Sequence, residues 1–141
     1  LLTLWPLDKR FTMIAIFLYI TNSTIVELLK RFFQRGRPVV DANPRFPYHH
    51  LPEGTEFKSF PSGHSSAGMA LAILFAIRYP KYAWAFLSAG VAVGFSRVYL
   101  GYHYPADVLA GWAVTVVIVG GGYYVVNKYS KAKDKVSKNP N

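Results

Sequence analysis

The stretch over residues 96–107, SRVYLGYHYPAD, carries an arginine, a histidine and an aspartate between two apolar runs. His103 precedes Asp107 by four residues, and a helix that starts near Pro105 would fold Asp107 back towards His103. A carboxylate on one ring nitrogen fixes the tautomer and leaves the other nitrogen free to attack or to accept a proton. Arg97 adds planar donors that suit a pair of phosphate oxygens. A buried His–Asp pair that only closes a helix junction would show the same pattern.

Two earlier sets of residues favour the chemical interpretation over the structural one. Lys30 and Arg37 add two further cations, which suit a doubly charged phosphoryl group and the charge of its transition state. Ser62 and Gly63 would open a helix, and the backbone N–H groups of a helix N-terminus bind phosphate readily. Considered alone, a lysine at a helix end usually extends its ammonium group to the membrane–water interface, and a Ser-Gly pair is usually a helix N-cap. Together the sets predict a phosphate site with two histidines, and they give no metal-ligand cluster.

The composition restricts the kind of protein that carries this site. A length of 141 residues suits one domain, and a net charge of +9 accompanies a hydrophobic content of 52%. The basic residues lie at the ends of apolar segments instead of on one face, so nucleic-acid binding is not expected. The absence of cysteine excludes disulfides, thiolate metal sites and a cysteine nucleophile.

The pattern of apolar segments predicts an all-α fold, an integral membrane helical bundle. The expected helices cover residues 11–33, 62–79, 82–100 and 106–127, and only the last is unambiguously long enough to span a bilayer. Gly90 and Gly94 form a small-xxx-small pair that permits close helix contact, and residues 120–122 are also assigned to packing. Residues 1–127 form the predicted membrane domain, and residues 128–141 a basic, disordered cytoplasmic tail.

The charges at the segment ends predict the orientation in the membrane. If the lysine-rich tail is inside, the long loop over residues 34–60 and the stretch over residues 96–107 lie outside. The outer side then carries more cations than the positive-inside tendency allows, and an anion site there explains the excess. His49 and His50 lie in the loop, and a metal site at this pair is a weak alternative because further ligands nearby are not obvious. The site is therefore expected at the outer membrane–water interface.

Three motifs in this chain resemble the signature of the type 2 phosphatidic acid phosphatase superfamily. That superfamily includes membrane lipid phosphatases, soluble class A acid phosphatases and vanadium haloperoxidases. The matching positions fall in order between residues 30 and 107: Lys30, Arg37 and Pro38; Pro61, Ser62, Gly63 and His64; and Ser96, Arg97, His103 and Asp107. Membrane members of the superfamily usually have one or two helices before the first motif, so we expect such helices to precede Leu1.

The resemblance implies a role for each matching residue. His103 would be the nucleophile that forms a phosphohistidine, Asp107 would orient and polarise it, and His64 would protonate the leaving oxygen and then activate water. The implied phosphate ligands are Lys30, Arg37, Arg97, Ser62 and the backbone N–H of Gly63. The implied supporting residues are Ser96, Pro38 and Pro61. No cofactor is implied.

The expected function is hydrolysis of a lipid phosphate or diphosphate at the outer face of a bacterial inner membrane, with the bilayer and the lipid as partners. Lipid A 1-phosphate is favoured because the long loop is basic and aromatic, and undecaprenyl diphosphate and phosphatidylglycerol phosphate are alternatives. A soluble acid phosphatase or vanadium haloperoxidase of the same superfamily is a second reading, and a non-enzymatic transporter subunit is a third. The sequence does not indicate the oligomeric state.

Overall fold

The computed structural model describes residues 9–41 and 54–138, and the regular structure in these residues is all helical. The five α-helices are α1 (Lys9–Phe33), α2 (Gly63–Arg78), α3 (Ala83–Tyr99), α4 (Pro105–Thr115) and α5 (Gly122–Lys138). Short 3₁₀ turns cover Pro38–Asp41 and Pro80–Tyr82, and a π-helical segment, Val116–Gly121, joins α4 to α5. The predicted all-α fold is confirmed.

Two helical stretches are long and apolar enough to cross a membrane, Lys9–Phe33 and Pro105–Ser130. Length and composition alone would also admit the core helix of a soluble protein. A core helix is mostly buried, however, and only 28% and 22% of the apolar windows of these two stretches are buried. Phe17 is 65% exposed and Val117 is 71% exposed. Surfaces of this kind are unfavourable in water and suit lipid, so the structure supports a membrane protein.

The glycines of α3 let that helix contact two neighbours. A Cβ atom on Gly90 would lie 3.0 Å from the Cβ of Ala72 in α2, and one on Gly94 would lie 2.3 Å from the Trp112 ring in α4. The predicted close contact at this pair is confirmed, with a different partner helix for each glycine. These contacts hold α2, α3 and α4 together below the predicted site.

The assignment of residues 120–122 to packing is correct only in part. Gly122 contacts α1, because a Cβ there would lie 2.7 Å from Cδ2 of Leu18. Gly120 and Gly121 have no atom within 4 Å of an added Cβ, and both lie in the π-helical segment. For these two glycines the packing interpretation is wrong.

One further difference concerns the tail, and one prediction about the loop is not tested. The prediction of disorder after residue 127 is wrong up to Lys138, where α5 ends. Lysine and alanine are good helix formers, and α5 extends an existing helix, so no new nucleus has to form. In the loop between α1 and α2, His49 and His50 lie outside the described residues.

Candidate active site

Four helix ends meet at one end of the bundle and bring the three sequence motifs together. The end of α1 supplies Lys30, whose Nζ lies against Gly63 in the first turn of α2. The α2 cap joins α4, because the backbone N–H of Ser62 donates to the carbonyl of Asp107 at 2.9 Å. The end of α3 joins the same junction through its Arg97 carbonyl, which accepts from the backbone N–H of His103 at 3.3 Å.

His103 is 2% exposed, and its two ring nitrogens have different partners. Nδ1 lies 2.7 Å from the carbonyl oxygen of Ser59, which can only accept, so Nδ1 carries the proton and donates. Nε2 therefore keeps its lone pair, and it lies 3.3 Å from Nη1 of Arg37. Burial is the main reason that the pKa of His103 is lowered, and the nearby charge of Arg37 lowers it further, against the hydrogen bond to Ser59 and the charge of Asp107, which raise it. A neutral ring with a free Nε2 is the form that a nucleophile requires.

The carboxylate of Asp107 is fully buried and receives three hydrogen bonds. Oδ2 accepts from Oγ of Ser59 at 2.6 Å and from the backbone N–H of Tyr104 at 2.8 Å. Oδ1 accepts from Nη1 of Arg35 at 2.8 Å. The distance from Oδ2 to Nδ1 of His103 is 3.8 Å, which is too long for a hydrogen bond. The expected hydrogen bond between Asp107 and the His103 ring is therefore not formed. The carbonyl of Ser59 accepts the Nδ1 proton instead and fixes the tautomer.

Ser59 and Arg35 are site residues that sequence reasoning missed. Ser59 is fully buried, and its backbone N–H donates to the carbonyl of Arg35 at 2.9 Å. The guanidinium of Arg35 also lies over the ring of Tyr104, 4.4 Å from its centroid. A weak signal exists for Arg35, because alternate residues of an extended segment share a face and Arg37 is two residues later. Nothing in the sequence distinguishes Ser59 from an ordinary loop serine.

Arg37 is held in place by backbone carbonyls of two loops. Nε donates to Thr55 at 2.9 Å, Nη1 to Tyr102 at 3.1 Å and Nη2 to Lys58 at 3.4 Å. Burial lowers the pKa of Arg37, but a guanidinium stays charged at neutral pH. The cation is therefore fixed beside Nε2 of His103 before any substrate binds.

Ser62 is the N-cap of α2 and is fully buried. Its Oγ accepts from the backbone N–H of Ser65 at 3.4 Å and shares a hydrogen bond with Oγ of Ser65 at 2.8 Å. These contacts engage Ser62 with protein, so in this structure it positions the helix terminus. Helix geometry leaves the N–H groups of the first turn, which begins at Gly63, without partners within the helix, and Ser62 caps that of Ser65.

His64 is partly exposed and is surrounded by cations. Partial burial is the largest cause of its lowered pKa, and Arg97, Lys30 and Arg37 shift that pKa in the same direction, as does His103. All three predicted phosphate-binding cations therefore act on His64 electrostatically. A group of this kind loses its proton readily and regains it when an anion binds beside it.

The supporting residues of the motifs hold the walls of the site. Ser96 donates to the carbonyl of Val93 at 2.7 Å and accepts from Nε of Arg97 at 3.2 Å, which directs that guanidinium. Pro38 begins the first 3₁₀ turn, and Pro61 is fully buried before the α2 cap. Among the described residues, no three His, Cys, Asp or Glu side chains form a group that could hold a metal ion.

Residues 11–131 match the family model described as the PAP2 superfamily. The chain is 37% identical over 98 residues to a lipid A 1-phosphatase of Rhizobium johnstonii, covering 69% of this chain and 40% of that protein. It is 30% identical over 113 residues to an undecaprenyl-diphosphatase of Sulfolobus acidocaldarius, covering 79% of this chain and 53% of that protein. The aligned region is thus about half or less of each relative's length. No solved structure gives a significant match.

Proposed function

Because this chain belongs to the PAP2 superfamily, we propose that it hydrolyses a phosphate or diphosphate ester of a membrane lipid through a phosphohistidine on His103. The observation that carries the proposal is the state of the His103 ring. The ring carries its proton on Nδ1, which donates to the carbonyl of Ser59. The lone pair on Nε2 faces the fixed guanidinium of Arg37. A phosphoryl group bound by that guanidinium would lie within reach of Nε2.

In the first step, Nε2 of His103 attacks phosphorus, an N–P bond forms and the bond from phosphorus to the leaving oxygen breaks. The leaving oxygen keeps the electron pair and takes a proton from His64. Arg37 exchanges its contact with Nε2 for a phosphate oxygen, and Lys30 and Arg97 neutralise the other oxygens. The buried charge of Asp107, 3.8 Å from Nδ1, stabilises the cationic phosphohistidine.

In the second step, His64 takes a proton from water, which attacks phosphorus and breaks the N–P bond. The phosphate leaves, and the ring of His103 regains its lone pair on Nε2. The tautomer stays the same throughout, because the Ser59 carbonyl holds the Nδ1 proton. No step requires a metal or another cofactor.

The proposed substrate is a membrane lipid, because the two apolar helical stretches are mostly unburied and expose large side chains such as Phe17 and Val117. Relatives named lipid A 1-phosphatase and undecaprenyl-diphosphatase are consistent with this class. Lipid A 1-phosphate is retained as one candidate, with undecaprenyl diphosphate and phosphatidylglycerol phosphate as the others. We also propose that the site faces the exterior of the inner membrane, as the charges at the other end of the bundle indicate.

The test separates the two histidines by single-turnover measurements on purified protein in detergent. His103→Ala should form no acid-labile phosphoprotein and release no leaving group from any substrate. His64→Ala should lose about 10²–10⁴-fold with a lipid or alkyl phosphate, and clearly less with an activated aryl phosphate that needs little general acid. Because His103 is buried, its variant must first show a wild-type unfolding temperature.

A different result would reverse the assignment. If His103→Ala kept a burst of leaving group while His64→Ala gave none on either substrate, the nucleophile and the acid would be exchanged. His64 is partly exposed, so its variant serves as the folded reference for the comparison.

A further inference from the structure

A chain of hydrogen-bonded polar side chains crosses the interior of the bundle and has no role in the mechanism above. Its members, Asn22 of α1, Ser66 of α2 and Thr115 of α4, are fully buried. Nδ2 of Asn22 donates to Oγ of Ser66 at 2.9 Å, and that oxygen lies 2.7 Å from Oγ1 of Thr115. Asn22 and Thr115 belong to the two helical stretches that are apolar enough to cross a membrane. Polar side chains at such positions are costly, so each is a candidate for a functional role.

The protons of this chain fix the direction of each hydrogen bond. Oγ1 of Thr115 lies 2.8 Å from the carbonyl of Gly111 and 3.3 Å from that of Ser66. Carbonyl oxygens only accept, so the single hydroxyl proton of Thr115 is donated to the backbone. The hydroxyl of Ser66 therefore donates to Thr115 and accepts from the amide of Asn22. The amide oxygen Oδ1 of Asn22 is buried and has no donor among the residues that the structure describes.

The unpaired Oδ1 shows that Asn22 is not the best residue for stability alone. A buried acceptor without a donor costs free energy, whereas an apolar side chain of the same shape does not. Leucine has as many side-chain heavy atoms as asparagine and no polar atom. With leucine in place of Asn22, the hydroxyl of Ser66 would keep its acceptor, Thr115. The presence of an asparagine therefore needs an explanation other than stability.

Beside this chain, α2 and α4 are joined at successive turns. The backbone N–H of Ser62 donates to the carbonyl of Asp107 at 2.9 Å. A Cβ on Gly111 would lie 2.8 Å from the carbonyl oxygen of Ser62, which shows how closely the two helices approach. One turn further along both helices, Ser66 meets Thr115. Helices α2 and α4 therefore hold the α2 cap and Asp107 together as one unit.

Asn22 joins α1, the helix that carries Lys30, to this unit. Leu18, Asn22 and Val26 are buried, and Lys30 continues their spacing of four residues. Residues at this spacing form a ridge that packs against a neighbouring helix. Side chains of a helix tilt towards its N-terminus, and Nζ of Lys30 lies against Gly63 in the first turn of α2. The position of the ammonium group thus depends on where the ridge of α1 lies along α2.

From these observations we propose that Asn22 is a positioning residue for Lys30. By donating to Ser66, it fixes α1 along α2 and keeps the ammonium group of Lys30 at the first turn of α2, where the phosphoryl group binds. Asn22 does not touch the substrate, because it is buried about 12 Å before Lys30 along α1, at a rise of about 1.5 Å per residue. This inference rests on the proposed function and adds to it a residue outside the three motifs.

The first test compares activity with stability in two variants, Asn22→Leu and Ser66→Ala, with farnesyl phosphate as substrate. Both should lower kcat/KM by about ten- to a hundredfold, the range expected when a charged contact with phosphate is lost. The unfolding temperature in detergent should not fall in Asn22→Leu, which removes the unpaired acceptor. It should fall in Ser66→Ala, which leaves the Asn22 donor unpaired. The matched control is Ser23→Leu, an exposed position next to Asn22, and it should keep wild-type activity.

A double-mutant cycle tests whether the loss passes through Lys30. In a Lys30→Met background, Asn22→Leu should have no further effect on kcat/KM, because the positioned group is already absent. Losses that add in the double variant would overturn the proposal. Wild-type kcat/KM in a folded Asn22→Leu variant would also overturn it. If Asn22→Leu does not fold, Ser66→Ala decides by the same comparison.

A distance measurement separates this proposal from the proposed function. The chain has no cysteine, so spin labels can be attached at two introduced cysteines, Leu28→Cys in α1 and Leu109→Cys in α4, both at exposed positions. The distance distribution between the labels should shift or broaden in Asn22→Leu and in Ser66→Ala, and stay unchanged in Ser23→Leu. An unchanged distribution in both variants would overturn the positioning role. If the wild-type chain does not hydrolyse farnesyl phosphate or any other lipid phosphate, the proposed function fails, and the distances alone decide whether Asn22 fixes α1.

Discussion

Gly63 allows Lys30 to reach the first turn of α2, and the substitution Gly63→Ala should displace this lysine. A Cβ on Gly63 would lie 2.7 Å from Nζ of Lys30, which is about 0.7 Å short of ordinary contact. The end of a lysine side chain moves easily, so the fold should keep its stability while the ammonium leaves its position. A charge-assisted hydrogen bond contributes about 1.5–3 kcal/mol. We therefore expect kcat/KM for a lipid phosphate to fall about ten- to a hundredfold.

A double-mutant cycle tests whether the effect passes through the lysine. In a Lys30→Met background, Gly63→Ala should have no further effect, because the displaced group is already absent. Gly36→Ala is the matched control, since an added Cβ there meets no atom within 4 Å and no left-handed backbone is required. It should retain wild-type activity. Losses that add in the Gly63–Lys30 double variant would refute the reasoning, as would full activity of Gly63→Ala alone.

Three further predictions concern the network around the nucleophile and the orientation of the chain. Ser59→Ala should lower the free energy of unfolding in detergent by about 1.5–3 kcal/mol, because the buried Asp107 carboxylate loses one charged hydrogen bond, and an unchanged unfolding temperature would contradict this. The fall of kcat/KM for an aryl phosphate at acid pH, corrected for ionisation of the substrate, should occur below about pH 6.5. The reason is that the pKa of His103 is lowered and only its neutral ring attacks phosphorus. If kcat/KM already falls above this pH, His103 is not the nucleophile. A cysteine at the exposed Phe57 should react with an impermeant thiol reagent on intact spheroplasts while a cysteine at Lys81 should not, and the opposite labelling would invert the topology.

The sequence predicts the parts of this fold that depend on local pattern. Apolar periodicity places the starts of the four predicted helices to within a few residues, since α2 begins at Gly63 and α4 at Pro105, although the last helix continues well beyond its predicted end. The glycine pair in α3 also has its expected packing role. What the sequence does not reveal is the π-helical segment, because a change of helix register depends on packing and leaves no periodic signal.

The site shows the same division between local and distant contacts. The spacing of His103 and Asp107 does bring the two side chains together, with Oδ2 3.8 Å from Nδ1. It does not determine which acceptor takes the Nδ1 proton. That acceptor is the carbonyl of Ser59, 44 residues earlier in the chain, and a backbone atom has no residue-type signature.

The contacts of Asp107 link the assembly of the junction to the state of the nucleophile. Nδ1 has one proton, and at 2.7 Å the carbonyl of Ser59 takes it, so Asp107 is left to accept from other donors. Those donors come from three places: Oγ of Ser59, the guanidinium of Arg35 and the backbone N–H of Tyr104. The carboxylate thus fixes the loop whose carbonyl orients the ring, and it keeps its charge near Nδ1. Asp107 therefore orients the His103 ring through its hydrogen bond with Ser59, whereas its charge acts on Nδ1 through space. Substitution of the Ser59 side chain removes the first contribution and leaves the second, so the two can be measured separately.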